Sequence, residues 1–439
     1  MKKTAILFFT ISILLFIASC KKKTEANPPV IEILSPSENK LYHLPEVINI
    51  KLRIKSEQAV TFIKVGVEDE KQMPLTTSVF LFPVSGETDF EVNLQIERIP
   101  EDAVGQSYLH IRAGNSVGTS HEFLAIQLEN PDLLSKGFYL ITRPGIQQTK
   151  VQYYDSLFSE TDFLLLSSEF NKAAFSFVDD ILCISVKSPD KLQAYKHKTS
   201  ELLWTKEAPI PLSEFYGLNL SDRIVFAGTG NGRVWGFRAD NGNEQFISAL
   251  VFDSVPGEIG VFKDYVMADY HSLIGPERGW LIFYKETAAL YQKHSSQLNV
   301  HAFYAGESRN DAVVFGNIGS LGVIQFYDIE NNKELISLNF TTGIITASCR
   351  MGAGFYLIAV GKDIWRFNEQ TLSVDFLQQA NEDIIDLQYD IVSKRIYVAE
   401  QQRLSVYNAT GDTLIADIQS PNPIQAVCLR LGYPSFQDE

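Results

Sequence analysis

The stretch Arg223-Ile224-Val225-Phe226-Ala227-Gly228-Thr229-Gly230-Asn231-Gly232-Arg233-Val234-Trp235-Gly236-Phe237-Arg238-Ala239-Asp240-Asn241-Gly242 reads as an apolar strand, a glycine-rich turn, a second strand ending on an aromatic residue, and a sharp turn. That ending recurs. Tyr154, Tyr195, Phe237, Tyr284, Tyr327, Phe367 and Tyr407 are separated by 41, 42, 47, 43, 40 and 40 residues. Leu404-Ser405-Val406-Tyr407 with Asn408-Ala409-Thr410-Gly411 repeats Val234-Trp235-Gly236-Phe237 with Asp240-Asn241-Gly242. A period of about 40–45 residues containing only strand-type segments specifies a β-propeller with four strands, A to D, in each blade.

The second repeat shows the division: Ala173 to Phe177 (A), Ile181 to Val186 (B), Lys191 to Tyr195 (C) and Glu201 to Trp204 (D). B strands begin near Phe138, Ile181, Arg223, Tyr265, Ala312, Phe355 and Arg395, which makes seven blades. They are apolar on both sides of the pleat, as strands buried between neighbouring blades are. The first repeat starts at its B strand, and the last overshoots into Ile424-Gln425-Ala426-Val427-Cys428-Leu429. This segment matches the A strand Ile344 to Arg350, so it is predicted to complete the first blade and close the ring. Closure removes the open sheet edges that would invite aggregation.

Arg223 to Gly242 resembles the quinoprotein-like, WD-like propeller repeat: apolar strand, G-x-x-x-G, strand, aspartate–glycine turn. The resemblance supports the fold and does not extend to the cofactor, because the chain has no vicinal cysteine pair and no calcium-ligand cluster beside an acidic base. The WD dipeptide of signalling propellers and the aspartate box of sialidases are absent as well.

Ahead of the repeats, residues 30–131 hold about seven short alternating segments, among them Ile48 to Ile54, Phe62 to Val67, Phe90 to Ile96 and Tyr108 to Ala113. Seven half-buried strands in about 100 residues specify an immunoglobulin-like sandwich. The opening P-x-I-x-I-x-x-P and Tyr108 to Gly118 resemble the bacterial Ig-like modules that follow lipoprotein tethers, which implies a spacer or docking module. The expected fold is all-β: this sandwich, then a seven-bladed propeller over 137–433.

The chain opens with Met1-Lys2-Lys3 and an apolar run from Ala5 to Ile17, short for a membrane span. Ile17-Ala18-Ser19-Cys20 resembles the lipobox of bacterial lipoproteins of the Bacteroidetes type, in which the cysteine carries the lipid. The resemblance implies a signal peptide over 1–20, a lipid on Cys20, attachment to the outer membrane at its periplasmic or cell-surface side, and a tether over 21–29. Lys21, Lys22 and Lys23 could rest on anionic head groups at about 1 kcal/mol each.

The formal net charge is −15, near −17 once Lys2 and Lys3 are removed with the signal, and such an acidic chain argues against nucleic-acid binding. Beyond Cys20 there are Cys183, Cys349 and Cys428, an odd number lying inside apolar strands, so no disulfide framework is expected and they read as small buried hydrophobes. The seven histidines show no H-x-H, H-x-x-x-H or H-E-x-x-H spacing, and neither G-x-S-x-G nor a P-loop occurs, so no metal, cofactor or catalytic residue is assigned.

Binding candidates come from two places. The 47-residue step reflects a longer B–C loop, Tyr270 to Trp280, which gathers Tyr270, His271, Glu277, Arg278 and Trp280 on the face where D–A and B–C loops meet. Near the channel, the A strands carry Glu214, Tyr216, His301, Tyr304, Arg350, Asp386, Tyr389 and Arg430. The leading expectation is a non-catalytic, lipid-anchored interaction protein of the bacterial envelope whose propeller face binds a protein. A carbohydrate-binding lipoprotein of a glycan-uptake system would need exposed aromatics in one groove, for which Tyr216, Tyr270 and Trp280 are the candidates. A propeller hydrolase or lyase would need two or three acid–base groups converging in one pocket.

Overall fold

The computed structural model describes residues 27–83, 88–96, 98–99, 106–187, 189–209, 214–221, 223–306, 311–341 and 343–434. The signal peptide, lipobox and Cys20 lie outside these residues. The chain divides into two compact units, and the break falls between Asp132 and Leu133.

The first unit contains β1 (Val30–Ser35), β2 (Lys40–His43), β3 (Glu46–Lys55), β4 (Phe62–Glu68), β5 (Val79–Leu81), β6 (Asp89–Ile96), β7 (Ser107–Gly114) and β8 (Thr119–Glu129). They form two sheets, β1-β3-β6 and β2-β8-β7-β4-β5. That order is the one of an immunoglobulin-type sandwich. Every second residue of β3 and β6 faces inward. Ile48, Ile50, Leu52, Val92 and Leu94 meet Ile63, Val65, Val67, Leu109 and Ile111 of the facing sheet in one core. β2 is a strand that the alternation does not announce. Only Tyr42 of its four residues is buried, and it pairs in parallel with β8.

The second unit is seven four-stranded sheets. Blade 1 has β9 (Leu134–Gly145), β10 (Gln148–Asp155) and β11 (Glu160–Leu166). Blade 2 has β12 (Glu169–Ser176), β13 (Ile181–Lys187), β14 (Lys191–Lys196) and β15 (Leu202–Glu207). Blade 3 has β16 (Phe215–Ser221), β17 (Ile224–Thr229), β18 (Arg233–Arg238) and β19 (Glu244–Ile247). Blade 4 has β20 (Ser254–Val261), β21 (Tyr265–Ser272), β22 (Arg278–Tyr284) and β23 (Leu290–Ser295). Blade 5 has β24 (Asn299–Ala305), β25 (Asp311–Ile318), β26 (Leu321–Asp328) and β27 (Lys333–Thr341). Blade 6 has β28 (Ile345–Gly352), β29 (Phe355–Val360), β30 (Asp363–Asn368) and β31 (Ser373–Gln379). Blade 7 has β32 (Asp386–Asp390), β33 (Arg395–Ala399), β34 (Arg403–Asn408) and β35 (Leu414–Gln419), and the chain ends its regular structure in β36 (Ile424–Gly432).

β36 pairs antiparallel with β9, Val427 opposite Leu140 and Leu429 opposite Phe138, so the sheet order of blade 1 is β11-β10-β9-β36. This is the closure expected from the unmatched C-terminal segment. The inner strands β36, β12, β16, β20, β24, β28 and β32 then neighbour one another around the ring.

Each interface between blades has its own core, and the second strands supply both sides of it. In β9, Phe138 and Leu140 pack toward blade 7, while Tyr139 and Ile141 pack toward blade 2. In β25, Ala312 and Val314 face blade 4, and Val313 and Phe315 face blade 6. A strand that alternates between two apolar neighbours loses the in–out pattern of a half-exposed strand. The recurring aromatic anchors these cores at Tyr154, Phe237, Tyr327 and Phe367. Blade 4 departs from the spacing. Its buried aromatic is Phe283, opposite Val266, and Tyr284 is half-exposed. Cys183, Cys349 and Cys428 are free thiols.

Candidate functional site

Six of the seven inner strands lose register with their neighbour near their start. The displaced residues are Asn171, Tyr216 with Gly217, Gly257 with Glu258, His301, Thr346 and Gln425. Such bulges free backbone groups and re-aim side chains. Side chains of adjacent blades take up the freed groups. Asn171 Nδ2 donates to Phe215 O, Asn219 Nδ2 to Ile259 O at 2.6 Å, and Asn317 exchanges two hydrogen bonds with the backbone of Ile345. Asp386 accepts from the amides of Val427 (2.7 Å) and Leu387 (2.8 Å) and from Gln388 Nε2 (3.0 Å).

Two glycines bring the inner strands close together here. A Cβ on Gly217 would stand 1.7 Å from Gly257 O, and one on Gly257 would stand 2.3 Å from Asp269 Oδ1. β16 therefore presents no side chain there. Lys172 of β12 reaches Glu258 of β20, with Nζ 2.6 Å from Oε1, although β16 lies between the two strands.

This hub is a small electrostatic system. Burial works against the charge on Lys172, but Glu258, with Asp386 and Asp269, more than offsets it and the ammonium is held protonated. Burial pushes the Asp269 carboxyl up to about 8, the charge of Glu258 adds to this, and the amides of Glu258 and Gly257 oppose it. Its Oδ1 is buried without a hydrogen-bond partner. Burial lowers the pKa of His301 and raises that of Asp386.

The structure divides the residues picked from sequence. His301 and Asp386 belong to the hub with Lys172. Tyr304, Arg350, Tyr389 and Arg430 lie toward the other end of their strands, away from the D–A loops. Tyr304 stitches blade 5 to blade 6 through Ser348 O at 2.7 Å, and Tyr389 packs on the core between blades 6 and 7. Arg350 is exposed and bonds locally to Gly352 O. Arg430 grips Asp180 at 2.9 and 3.0 Å and Tyr153 Oη at 3.0 Å, beside Tyr139 and His197, a network tying β36 to blades 1 and 2. Glu214 pairs with Lys187 at 3.1 Å.

The long B–C segment differs from its expected form. It lengthens the hairpin, with His271 opposite Arg278, and does not open a loop. Tyr270 and Trp280 are therefore buried and are not binding aromatics. Tyr270 lies in the core between blades 3 and 4, and Trp280 in that between blades 4 and 5, stacked on His294. An aromatic groove of Tyr216, Tyr270 and Trp280 does not form. Tyr216 instead meets His271 edge to face, with ring centroids 6.2 Å apart, while Glu277 is exposed and Arg278 half-buried.

What the hairpin tip does expose is Leu273 (63 %) and Ile274 (81 %). Leu273 N donates to Asp253 O at 3.0 Å, which fixes the tip beside Phe252, itself 78 % exposed. Ile318, Leu321 and Ile344 make a second apolar spot on D–A and B–C loops of blades 5 and 6. The signal was readable: an apolar pair directly before Gly275-Pro276, at a turn where polar residues are the rule. Among the described residues no group of three or more His, Cys, Asp or Glu is placed to hold a metal ion, and no helix is long and apolar enough to cross a membrane.

No protein-family model and no curated protein sequence matches the chain. Among solved structures, the computationally designed Ika8 protein is similar at 13 % identity and a TM-score of 0.48, over 68 % of this chain and 97 % of that one. The Dos1 propeller is similar at 12 % identity and a TM-score of 0.46, over 67 % of this chain and 89 % of that one.

Proposed function

We propose that the protein is a non-catalytic, lipid-anchored interaction protein of the bacterial envelope. The lipid is on Cys20, the Ig-like sandwich serves as spacer, and the loop face of the quinoprotein-like propeller binds a protein partner. The observation that carries this reading is the fixed apolar prominence of Phe252, Leu273 and Ile274. Large exposed apolar side chains held together on a rigid scaffold mark protein contact sites. The hub supports the reading as well, because its strongest charges are already engaged with each other or with backbone amides.

The test is in-cell photo-crosslinking from position 252 or 274, with Leu157, exposed in the turn between β10 and β11, as control. Discrete protein adducts from the first two positions and none from 157, abolished by Leu273→Ser, are expected. Equal labelling from all three positions, or none, overturns the proposal. Separately, Cys20→Ala is expected to move the protein from the membrane fraction to the soluble fraction.

A further inference from the structure

The two outer faces of the N-terminal sandwich treat charge differently. On the β1-β3-β6 face each cation has an acid opposite it or bonded to it: Arg53 pairs with Asp89 at 2.7 Å and Lys55 with Glu32 at 3.1 Å, and Lys51 stands in register opposite Glu91, which accepts from Asn49 Nδ2 at 2.6 Å. On the five-stranded face, Phe80, Lys64, Arg112 and His121 stand in one row across β5, β4, β7 and β8, each opposite the next. Like charges directly opposite one another are unfavourable in a sheet. Neither Lys64 nor Arg112 makes an ion pair among the described residues, and Arg112 Nε is buried without a hydrogen-bond partner. The carboxylate nearby, Glu68, is committed to His110 Nδ1 at 2.7 Å, and His110 Nε2 is in turn 2.9 Å from His121 Nδ1. Aromatic rings flank the row: Lys64 lies over Phe80, Arg112 over Phe62, and Phe123 stacks on His110. Phe80 and Phe123 are 54 % and 42 % exposed.

We propose that this face binds an anionic polysaccharide. The row leaves unpaired cations on a chain of net charge −15, so the missing partner is negative. Adjacent strands are about 4.8 Å apart, which spaces the cations so that a chain bearing repeated carboxylates meets several at once, Arg112 in the bidentate manner that a guanidinium favours. The exposed rings offer flat faces on which the C–H side of a sugar ring packs. A peptide would have no such use for them, since the row crosses the strands and does not follow a free edge. His121 adds a pH response. Burial, His110 and Arg112 lower its pKa, with Glu68 opposing. A bound carboxylate favours its protonation, so binding tightens as the pH falls into the lowered range of this imidazole, below the ordinary histidine value.

The test is binding of the full chain to polygalacturonate, with dextran as the neutral polymer and poly-glutamate as the anionic chain without rings. Polygalacturonate is expected to bind best, more weakly as salt rises. Lys64→Gln and Arg112→Gln are each expected to weaken it about tenfold, and Phe80→Ser to weaken it while leaving the salt dependence unchanged. Arg53→Gln on the paired face is expected to change nothing. Poly-glutamate binding as well as polygalacturonate, no polygalacturonate binding, or insensitivity to Lys64→Gln in a folded variant each overturns the proposal.

Discussion

The sandwich and the propeller keep their polar groups in opposite places. In the sandwich two sheets share one core, alternation sends charge outward, and pairs such as Arg53–Asp89 sit in water. In the propeller each blade is apolar on both flanks, so charge and freed backbone groups gather where the inner strands converge. There burial raises the pKa of the Asp269 and Asp386 carboxyls, while the Lys172–Glu258 pair beside them stays partly open to solvent. A ring also has to join its ends, whereas the strands of the sandwich all lie within one continuous segment. The propeller therefore concentrates its vulnerability in the hub and the closing strand, and the sandwich spreads its own.

The largest break in this comparison is removal of β36. Ile424 and Val427 fill the core between blades 7 and 1, Ala426 and Cys428 pack toward blade 2, and the Val427 amide is bonded to Asp386. Burying three or four such side chains contributes roughly 5–10 kcal/mol before entropy, comparable to the whole net stability of a domain. Truncation after Pro421 is expected to abolish the cooperative transition of the propeller in calorimetry and to leave that of the sandwich in place. A truncated chain that stays soluble and keeps both transitions would show that the ring does not depend on its closing strand.

The closing strand was legible because a surplus strand at one end matched a missing strand at the other. The blades were legible because turn chemistry and an aromatic recur at a constant interval. Neither signal reaches the hub. Lys172 and Glu258 are 86 positions apart and meet only because an intervening blade presents Gly217. Asp269 is a single carboxyl after the apolar run Tyr265 to Ala268, and its role depends on a bulge in the neighbouring strand. Tyr270 and Trp280 misled for a related reason: extra residues in a hairpin can lengthen its ladder as easily as open a loop, and a ladder buries its aromatics. β2 was missed because four residues with one inward side chain make no pattern.

Gly217→Ala is the next largest expected effect. The added Cβ meets a backbone oxygen 1.7 Å away, so two inner strands must separate, at a cost of roughly 3 kcal/mol. Gly352, in β28, has nothing within 4 Å of its Cβ position, and Gly352→Ala should be neutral. In the sandwich, a Cβ on Gly66 would meet the Ser78 side chain, which can turn aside. Chemical denaturation of the three variants should rank Gly217 well above Gly66, and Gly66 above Gly352.

Asp269 makes the comparison pH-dependent. Its folded pKa, about 8, is above its unfolded value, so the folded propeller holds a proton that the unfolded chain releases. Its contribution is complete below the ordinary carboxylate range and is lost as the pH rises through about 8. From about pH 6.5 to 8, once the buried histidines no longer titrate, this amounts to roughly 2 kcal/mol. Asp269→Asn keeps an acceptor for the bulge amides and removes the titration. The stability difference between wild type and variant should shift by that amount across the window. A difference that stays flat would mean the carboxyl is ionised in the folded hub.

The smallest expected effect belongs to the sandwich surface. Arg53 holds the Asp89 carboxyl below the usual range through a hydrogen bond and its charge, so this contribution has the opposite sign of dependence. It is present above the ordinary carboxylate pKa and fades as the pH falls through the lowered one. Both side chains stand in solvent, where the entropy of holding two flexible groups together and screening by salt consume most of the attraction. Arg53→Ala should leave the sandwich transition where it was at neutral pH and moderate salt, and any shift seen at low salt should vanish in acid. If Arg53→Ala instead unfolded the sandwich as readily as Gly217→Ala unfolds the propeller, the face would have to be desolvated. The division between a solvated shell of charge in one unit and a partly enclosed hub, with its buried carboxyls, in the other would then fail.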